Sequence, residues 1–211
     1  DLIQRHGIPT AIASIFDDYD EAVRYVKDGS VPIVIKADGL AGGKGVVVAE
    51  THMTAVTTLQ ALMVDRVFGT SGDRVLVEEY LEGREISVFA FVDGPRVSSL
   101  VAACDYKRIG NGDTGSNTGG MGAYSPPVPD LWNPEMERRV RHEIMMPVAR
   151  ALAKDDSPYR GVLFAGLMIT ETGPKVIEFN CRFGDPEAQV VLRRLENVLL
   201  GARITIAEGR L

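Results

Sequence analysis

The sequence predicts an α+β protein, because short alternating strands and amphipathic helices follow one another along the chain. Apolar residues alternate with polar ones over 85–92 and form a short apolar run over 32–36, both typical of strands. The pair Asp93 and Gly94 is a hairpin signal between two such strands. Apolar residues recur at helical spacing over 134–154, which predicts a long amphipathic helix.

The first group of elements predicts a smaller lobe over residues 1–73. Side chains of Asp and Thr accept hydrogen bonds from the first turn of a helix, and Gly is common where a helix ends. The predicted elements are a strand within 8–14, a helix over 21–27 capped by Asp17 or Asp18 and closed by Gly29, strands over 32–36 and 46–49, and a helix after Thr51.

The second group predicts a larger lobe over residues 74–211. Its predicted elements are a strand over 74–80, hairpins over 85–103 and 161–180, a polar loop over 104–130, the helix over 134–154 and a helix that begins at Pro186. A loop as long as 104–130 inside a compact domain is usually functional or disordered.

Composition excludes several classes of protein. The 211 residues are 45% hydrophobic and carry a net charge of −6, with no basic stripe, so duplex nucleic acid is not an expected partner. No apolar run approaches the ~20 residues of a membrane span. Two isolated cysteines, Cys104 and Cys181, favour a reducing, cytoplasmic location over a disulfide framework.

The segment 176–187, VIEFNCRFGDPE, carries the most specific chemistry. Side chains alternate between the two faces of a strand, so Glu178 and Asn180 share a face. A carboxylate and an amide oxygen suit a hard cation such as Mg²⁺, and Arg182 follows at the strand end. The alternative is a half-buried strand with a polar outer face.

A glycine-rich loop, 39–45, lies between two predicted strands. Glycines let the backbone approach phosphate oxygens, and Lys44 adds a mobile positive charge. The spacing differs from a Walker A loop, because Gly45 follows the lysine and a strand follows the loop. The alternative is a flexible hairpin loop.

Three further sets of residues carry weaker signals. Lys36 at the end of an apolar strand can reach a phosphate or extend to water, and the water-exposed reading is favoured. The acidic segment 78–85 can contact a nucleotide or form a surface edge. The segment 105–124 joins backbone donors to Lys107 and Arg108, which suits a small anionic substrate or a solvated loop.

Taken in order, these motifs resemble the ATP-grasp superfamily and, within it, the ligases that join glycine to 5-phosphoribosylamine. The motifs that carry the resemblance lie at 8–11, 32–49, 77–87, 105–126 and 159–187, and they span nearly the whole chain. The resemblance implies two α+β lobes that clasp a nucleotide between them.

The resemblance also implies roles for individual residues. ATP would be bound by Lys36, Gly42, Gly43, Lys44, Gly45, Glu78, Glu79, Leu81 and Glu85. Mg²⁺ or Mn²⁺ would be bound by Glu178 and Asn180. Catalytic roles would fall to Asp105, Lys107 and Arg182, and substrate binding to Arg108, Asn117, Gly119, Gly120, Met121 and Asp185.

The implied reaction is ATP-dependent amide formation in purine biosynthesis through glycyl phosphate, giving glycinamide ribonucleotide, ADP and phosphate. The alternatives are another ATP-grasp carboxylate–amine ligase or carboxylase, and a nucleotide-binding module without complete activity. Small molecules are the expected partners, with no nucleic acid and no membrane.

Three departures from the family pattern accompany the resemblance. The flanking domains of the family are absent, so we expect the chain to be a piece of a larger protein. The stretch 165–167, where many ATP-grasp proteins place another acidic metal ligand, contains no carboxylate. The tail over 195–211 also differs from the expected pattern.

Overall fold

A computed structural model describes residues 2–39, 41, 45–112, 114–196 and 199–210, with the backbone alone for Ser116, Asn117, Leu200 and Arg203. The chain forms two compact units. One is Ala11–Leu81, and the other combines Asp1–Thr10 with Glu82–Leu211. They are called the smaller and the larger unit below.

Strands and helices both contribute to the fold, which is α+β as predicted. The strands are β1 (Ala13–Phe16), β2 (Ile33–Ala37), β3 (Val46–Ala49), β4 (Val75–Glu79), β5 (Arg84–Asp93), β6 (Arg96–Val97), β7 (Val101–Asp105), β8 (Arg108–Gly110), β9 (Thr114–Asn117), β10 (Ala123–Tyr124), β11 (Arg160–Thr170) and β12 (Gly173–Asn180).

The α-helices are α1 (Leu2–Arg5), α2 (Tyr19–Asp28), α3 (His52–Leu59), α4 (Pro134–Arg139), α5 (Met146–Lys154), α6 (Glu187–Val191) and α7 (Leu199–Ala207). A π-helical segment, Gln60–Val64, continues α3, and another, Val140–Met145, joins α4 to α5. Short 3₁₀ turns lie at Gly69–Gly72 and Leu192–Arg194. In the part of the chain that the structure describes, every helix is too short or too polar to cross a bilayer.

The smaller unit is a four-stranded antiparallel sheet in the order β1-β4-β2-β3. Its helices begin at the predicted caps: Asp18 accepts from the Glu21 amide at 2.8 Å, and Thr51 accepts from the Thr54 amide at 3.1 Å. Buried apolar side chains of the sheet and helices form one core: Ala22, Val26, Ile33, Ile35, Ala49, Ala55, Leu59, Leu62, Val75 and Val77.

The larger unit contains a six-stranded sheet in the order β10-β7-β5-β11-β12, with β6 paired to β5. Its main core includes apolar side chains from β5, β7, β11 and the segment Val140–Met145, among them Ile86, Val88, Ile144 and Leu167. The second face of the sheet carries a smaller cluster of Phe89, Ala103, Phe164 and Val191. Apolar side chains are therefore buried on both faces of this sheet.

Four predicted elements differ from the structure. The return strand of the predicted hairpin over 85–103 is divided into β6 and β7. The predicted strand within 8–14 begins only at Ala13, and Thr10 makes an isolated bridge to Val176. The strand β4, expected at the start of the larger lobe, pairs with β1 and β2 of the smaller sheet. The polar loop over 104–130 contains the hairpin β8–β9 and the strand β10. The side chains of this segment are mostly polar, so the pattern of apolar residues does not predict its strands.

We predict that Gly72→Ala destabilises the smaller unit by about 1–3 kcal/mol, because a methyl group there overlaps the buried carbonyl of Leu62. Gly201→Ala is the control, since among the described residues no atom beyond its own helix backbone and chain neighbours lies within 4 Å of the added methyl, and alanine favours a helix by about 0.5–1 kcal/mol. Urea unfolding followed by circular dichroism measures both. Equal stability of the two variants would contradict this packing.

Candidate functional site

One face of the larger sheet carries polar residues of two strands on either side of a glycine. In the antiparallel register, Gly166 of β11 lies opposite Glu178 of β12 on one side and opposite Ser87 of β5 on the other. Residues opposite one another in such a register point to the same face. Glu178 and Ser87 therefore share a face, and between them lies a residue with no side chain.

Glu178 and Asn180 form the predicted pair on β12. The Asn180 side-chain amide donates to Glu178 Oε1 at 2.9 Å, and Glu178 is exposed while Asn180 is half-buried. A β-carbon on Gly166 would lie 3.3 Å from Glu178 Cγ, so glycine leaves room beside this carboxylate. A carboxylate and an amide oxygen with open space beside them are a donor set that fits a hard divalent cation.

Lys107 lies against Glu85, and the two side chains form an ion pair with a hydrogen bond. Burial alone lowers the pKa of the Lys107 amine, but the charge and hydrogen bond of Glu85, with Asp105 and Glu178, outweigh it and raise the pKa above its ordinary value. Lys107 is therefore a persistent cation among carboxylates. The family resemblance implied separate roles for Lys107 and Glu85 and did not indicate that they pair.

The turn over 118–122 is held against the strand end before it. The Thr118 amide donates to Lys107 O at 2.7 Å, and the Met121 amide donates to Tyr106 O at 2.7 Å. Within the turn, the Gly120 amide donates to Thr118 Oγ1 at 3.1 Å. These three amides already donate hydrogen bonds within the protein. Part of the predicted set of backbone donors therefore holds the turn against the backbone of Tyr106 and Lys107.

The remaining predicted substrate residues lie around this turn and after β12. Gly119 and Met121 are exposed, and a β-carbon on Gly120 would overlap Pro186, which brings the turn into contact with the segment around Asp185. Asp185 accepts from Gln189 at 2.8 Å.

The two predicted arginines are exposed and contact the backbone. Arg182 Nη1 donates to the carbonyl of Phe183 at 2.9 Å. Arg108 Nη1 donates to Gly115 O at 3.5 Å, and the backbone of Arg108 pairs with Asn117 in the hairpin β8–β9.

The smaller unit carries its own predicted residues. Lys36 Nζ lies 2.7 Å from Glu78 Oε2, and both side chains are mostly buried, at 18% and 14% exposed. Lys36 thus pairs with a carboxylate instead of extending fully into water. Glu79 Oε1 accepts from the Ile12 amide at 3.1 Å, which attaches β4 to the segment before β1, and half-buried Leu81 ends the unit.

The glycine-rich loop is described only at its base, because Gly42, Gly43 and Lys44 lie outside the described residues. The Ala37 amide donates to Gly45 O at 2.8 Å and closes the base between β2 and β3. Asp38 pairs with Arg74, an ion pair that no sequence motif indicated. The two ends of the loop are therefore fixed to the smaller sheet.

Comparison with known proteins assigns the chain to a family. The family model for the ATP-grasp (A) domain of phosphoribosylglycinamide synthetase matches residues 1–188. The chain belongs to this family. A phosphoribosylamine–glycine ligase of Halalkalibacterium halodurans is 50% identical over 209 residues, which cover 99% of this chain and 48% of the relative. The chain spans about half the length of the curated relatives it matches.

Solved structures agree with the family and the ATP-grasp fold. The phosphoribosylamine–glycine ligase of Thermotoga maritima superposes with a TM-score of 0.89 at 31% identity, covering 99% of this chain and 52% of that one. The biotin carboxylase domain of Hydrogenobacter thermophilus 2-oxoglutarate carboxylase, solved with MgADP, gives a TM-score of 0.72 at 22% identity. It covers 100% of this chain and 44% of that domain, and at this identity the likeness shows the fold alone.

We predict that Glu85→Gln lowers the pKa of Lys107, because burial then acts against a smaller opposing charge. NMR titration of ¹³C-labelled lysines measures the pKa, which in the unsubstituted chain lies above the ordinary 10.5. Because this pKa is raised, the pair stabilises the fold below about pH 10.5, and the stabilisation is lost as the pH rises through the pKa of the folded state.

Glu82→Gln is the matched control for this titration, since Glu82 is an exposed carboxylate on the same segment. It is expected to leave the pKa of Lys107 in place. A Lys107 pKa that is the same in Glu85→Gln and in the unsubstituted chain would refute the pairing.

Proposed function

We propose that this chain binds ATP with a divalent cation and forms the nucleotide-binding part of a ligase that joins glycine to 5-phosphoribosylamine. The observation that carries the proposal is the arrangement on the larger sheet, where the Glu178–Asn180 pair and the Lys107–Glu85 pair act on one another electrostatically. Family membership supports the nucleotide, and the ligases of similar sequence support the reaction.

Glu178 and Asn180 are the proposed ligands for the cation, which is Mg²⁺ or Mn²⁺. Among the residues that the structure describes, no group of three or more His, Cys, Asp or Glu could hold a metal ion. The remaining positions would therefore be filled by water and the phosphates of ATP, as is usual for Mg²⁺. The bound cation would neutralise phosphate charge and orient the γ-phosphate.

The proposed first step forms glycyl phosphate, an acyl phosphate in which the glycine carboxyl group is activated for attack by an amine. A carboxylate oxygen of glycine attacks the γ-phosphate, the bond from that phosphorus to the bridging oxygen breaks, and ADP leaves. The glycine carboxylate and the phosphates of ATP are both negatively charged, so the two groups meet only where cations offset their charge. Lys107 suits this role, because its raised pKa keeps it charged at neutral pH and unable to act as a base.

In the proposed second step, the amino group of 5-phosphoribosylamine attacks the glycyl carbonyl, phosphate leaves with the C–O bond electrons, and the nitrogen loses a proton to solvent. Positioning carries most of this catalysis. Arg182, Arg108, Asp105 and Asp185, with the segment 117–122, are the proposed contacts for the two small substrates.

The proposed nucleotide contacts in the smaller unit are Lys36, Glu78, Glu79 and Leu81, with the loop Gly42–Gly45 over the phosphates. The Lys36–Glu78 ion pair supports this, because it holds a buried lysine at a strand end with defined geometry. Glu85 is the proposed contact for the ribose. The two isolated cysteines and the proposed purine pathway together support a cytoplasmic location.

The assay that tests the reaction measures ADP release by the natural gene product that carries this sequence. We expect ADP release that requires both glycine and 5-phosphoribosylamine, with glycinamide ribonucleotide as the product. Release with another carboxylate or amine acceptor would replace this ligase by a different ATP-grasp ligase. Nucleotide binding without ADP release under any condition would show that the protein is a nucleotide-binding module without ligase activity.

We predict that Glu178→Ala weakens Mg²⁺-dependent ATP binding by at least roughly 10-fold, since the loss of even an outer-shell partner of a metal ligand typically costs about 10–100-fold in affinity. Isothermal titration of the chain with ATP, in the presence and absence of Mg²⁺, measures the effect. Glu171→Ala is the matched control, because Glu171 is an exposed carboxylate at the turn of the same hairpin. Unchanged Mg²⁺-dependent binding in Glu178→Ala would show that the metal assignment is wrong.

A further inference from the structure

Glu187 is a buried carboxylate that the proposed reaction does not use. It is 4% exposed and lies at the start of α6, and its Oε1 accepts from Ser87 Oγ at 3.1 Å. Ser87 is 1% exposed and belongs to β5, one strand away from Gly166. A carboxylate in such a place is costly unless it is hydrogen-bonded, so packing alone does not explain an acidic residue here.

The surroundings of Glu187 are shaped to its side chain. A β-carbon on Gly184 would overlap Glu187 Oε2, so only a glycine leaves room for the carboxylate there. The Ala188 amide donates to Gly184 O at 3.0 Å, which closes the turn around the same side chain. The carboxylate is thus held between a central strand and the segment that follows β12.

The same segment touches the turn over 118–122. A β-carbon on Gly120 would overlap Cδ of Pro186, the residue immediately before Glu187. Pro186 therefore packs closely against Gly120, and the Ser87–Glu187 hydrogen bond holds the residue that follows Pro186. The turn itself is held to Lys107, because the Thr118 amide donates to the Lys107 carbonyl.

We infer that Glu187 is a positioning residue: through Ser87 it fixes the segment 181–186 against the turn 118–122, so that both line one binding surface for an anionic substrate. Arg182 and Asp185 on that segment are exposed while Glu187 beneath them is buried. Glu187 therefore acts through its neighbours and does not touch substrate. This inference rests on the proposed function for its substrate, but its geometry stands alone.

Hydrogen exchange of the chain without substrate tests the positioning directly. In Glu187→Ala and in Ser87→Ala, we expect the amides of Ala188, Gly120 and Met121 to exchange roughly tenfold faster or more, because local opening becomes easier. Glu187→Gln keeps an oxygen that can accept from Ser87, so it restores most of the protection. The double variant adds little to either single change, since both remove one interaction.

Glu171→Gln is the control for the exchange measurement, because it changes an exposed carboxylate on the hairpin turn of the same unit. It should leave the three amides unaffected. Glu187→Ala can also lower the urea midpoint of the whole unit. In that case the exchange rates of Ser87→Ala and Glu187→Gln distinguish a local loss of positioning from a global loss of stability. Unchanged exchange in Ser87→Ala, or no rescue by Glu187→Gln, overturns the inference.

Kinetics of the natural gene product give an independent reading. We expect Ser87→Ala to raise KM for glycine or 5-phosphoribosylamine several-fold while KM for ATP stays unchanged, because the segment 181–186 faces the small substrates. If the unsubstituted protein releases no ADP with these substrates, the proposed ligase is wrong, and the exchange experiment alone decides the positioning role. An equal increase in KM for ATP and in KM for the small substrates would contradict the positioning role of Glu187.

Discussion

The register between β5, β11 and β12 is the constraint on which the larger unit depends. It places Gly166 between Glu178 and Ser87, so that a central strand leaves open space beside the proposed cation ligand. A shift of one residue would turn Glu178 into the apolar cluster with Ile86 and Leu167. Burial on both faces of the sheet thus fixes where the carboxylate points, and the chemistry follows from packing.

The charges around Lys107 determine its role in the proposed site. Lys107 is surrounded by the carboxylates of Glu85, Asp105 and Glu178, which keep it protonated despite its burial. A lysine in that state stays positively charged, and it cannot remove a proton at neutral pH. The proposed ligation uses this positive charge to offset the glycine carboxylate and the phosphates of ATP, and it requires no lysine base. The strand register and the turn at Thr118 hold this cation in place.

Local signals in the sequence predict much of the fold, and long-range pairs account for what they miss. The caps at Asp18 and Thr51, and the hairpin at Gly94, follow from interactions within a few residues. Family motifs point to Glu178, but the pairing of Lys107 with Glu85 depends on the register of neighbouring strands. The Ser87–Glu187 contact joins residues 100 positions apart, beyond the reach of any periodic pattern.

The most direct test of the cation site uses Mn²⁺ as a paramagnetic probe with ATP. In an NMR titration, we expect the amides of Gly166, Glu178 and Asn180 to broaden first, and those at the far end of the hairpin near Glu171 to broaden last. The ordering follows from the register that brings the first three together. Broadening centred on another part of the larger unit, or absent from β12, would contradict the central claim that this sheet face binds the metal–nucleotide complex.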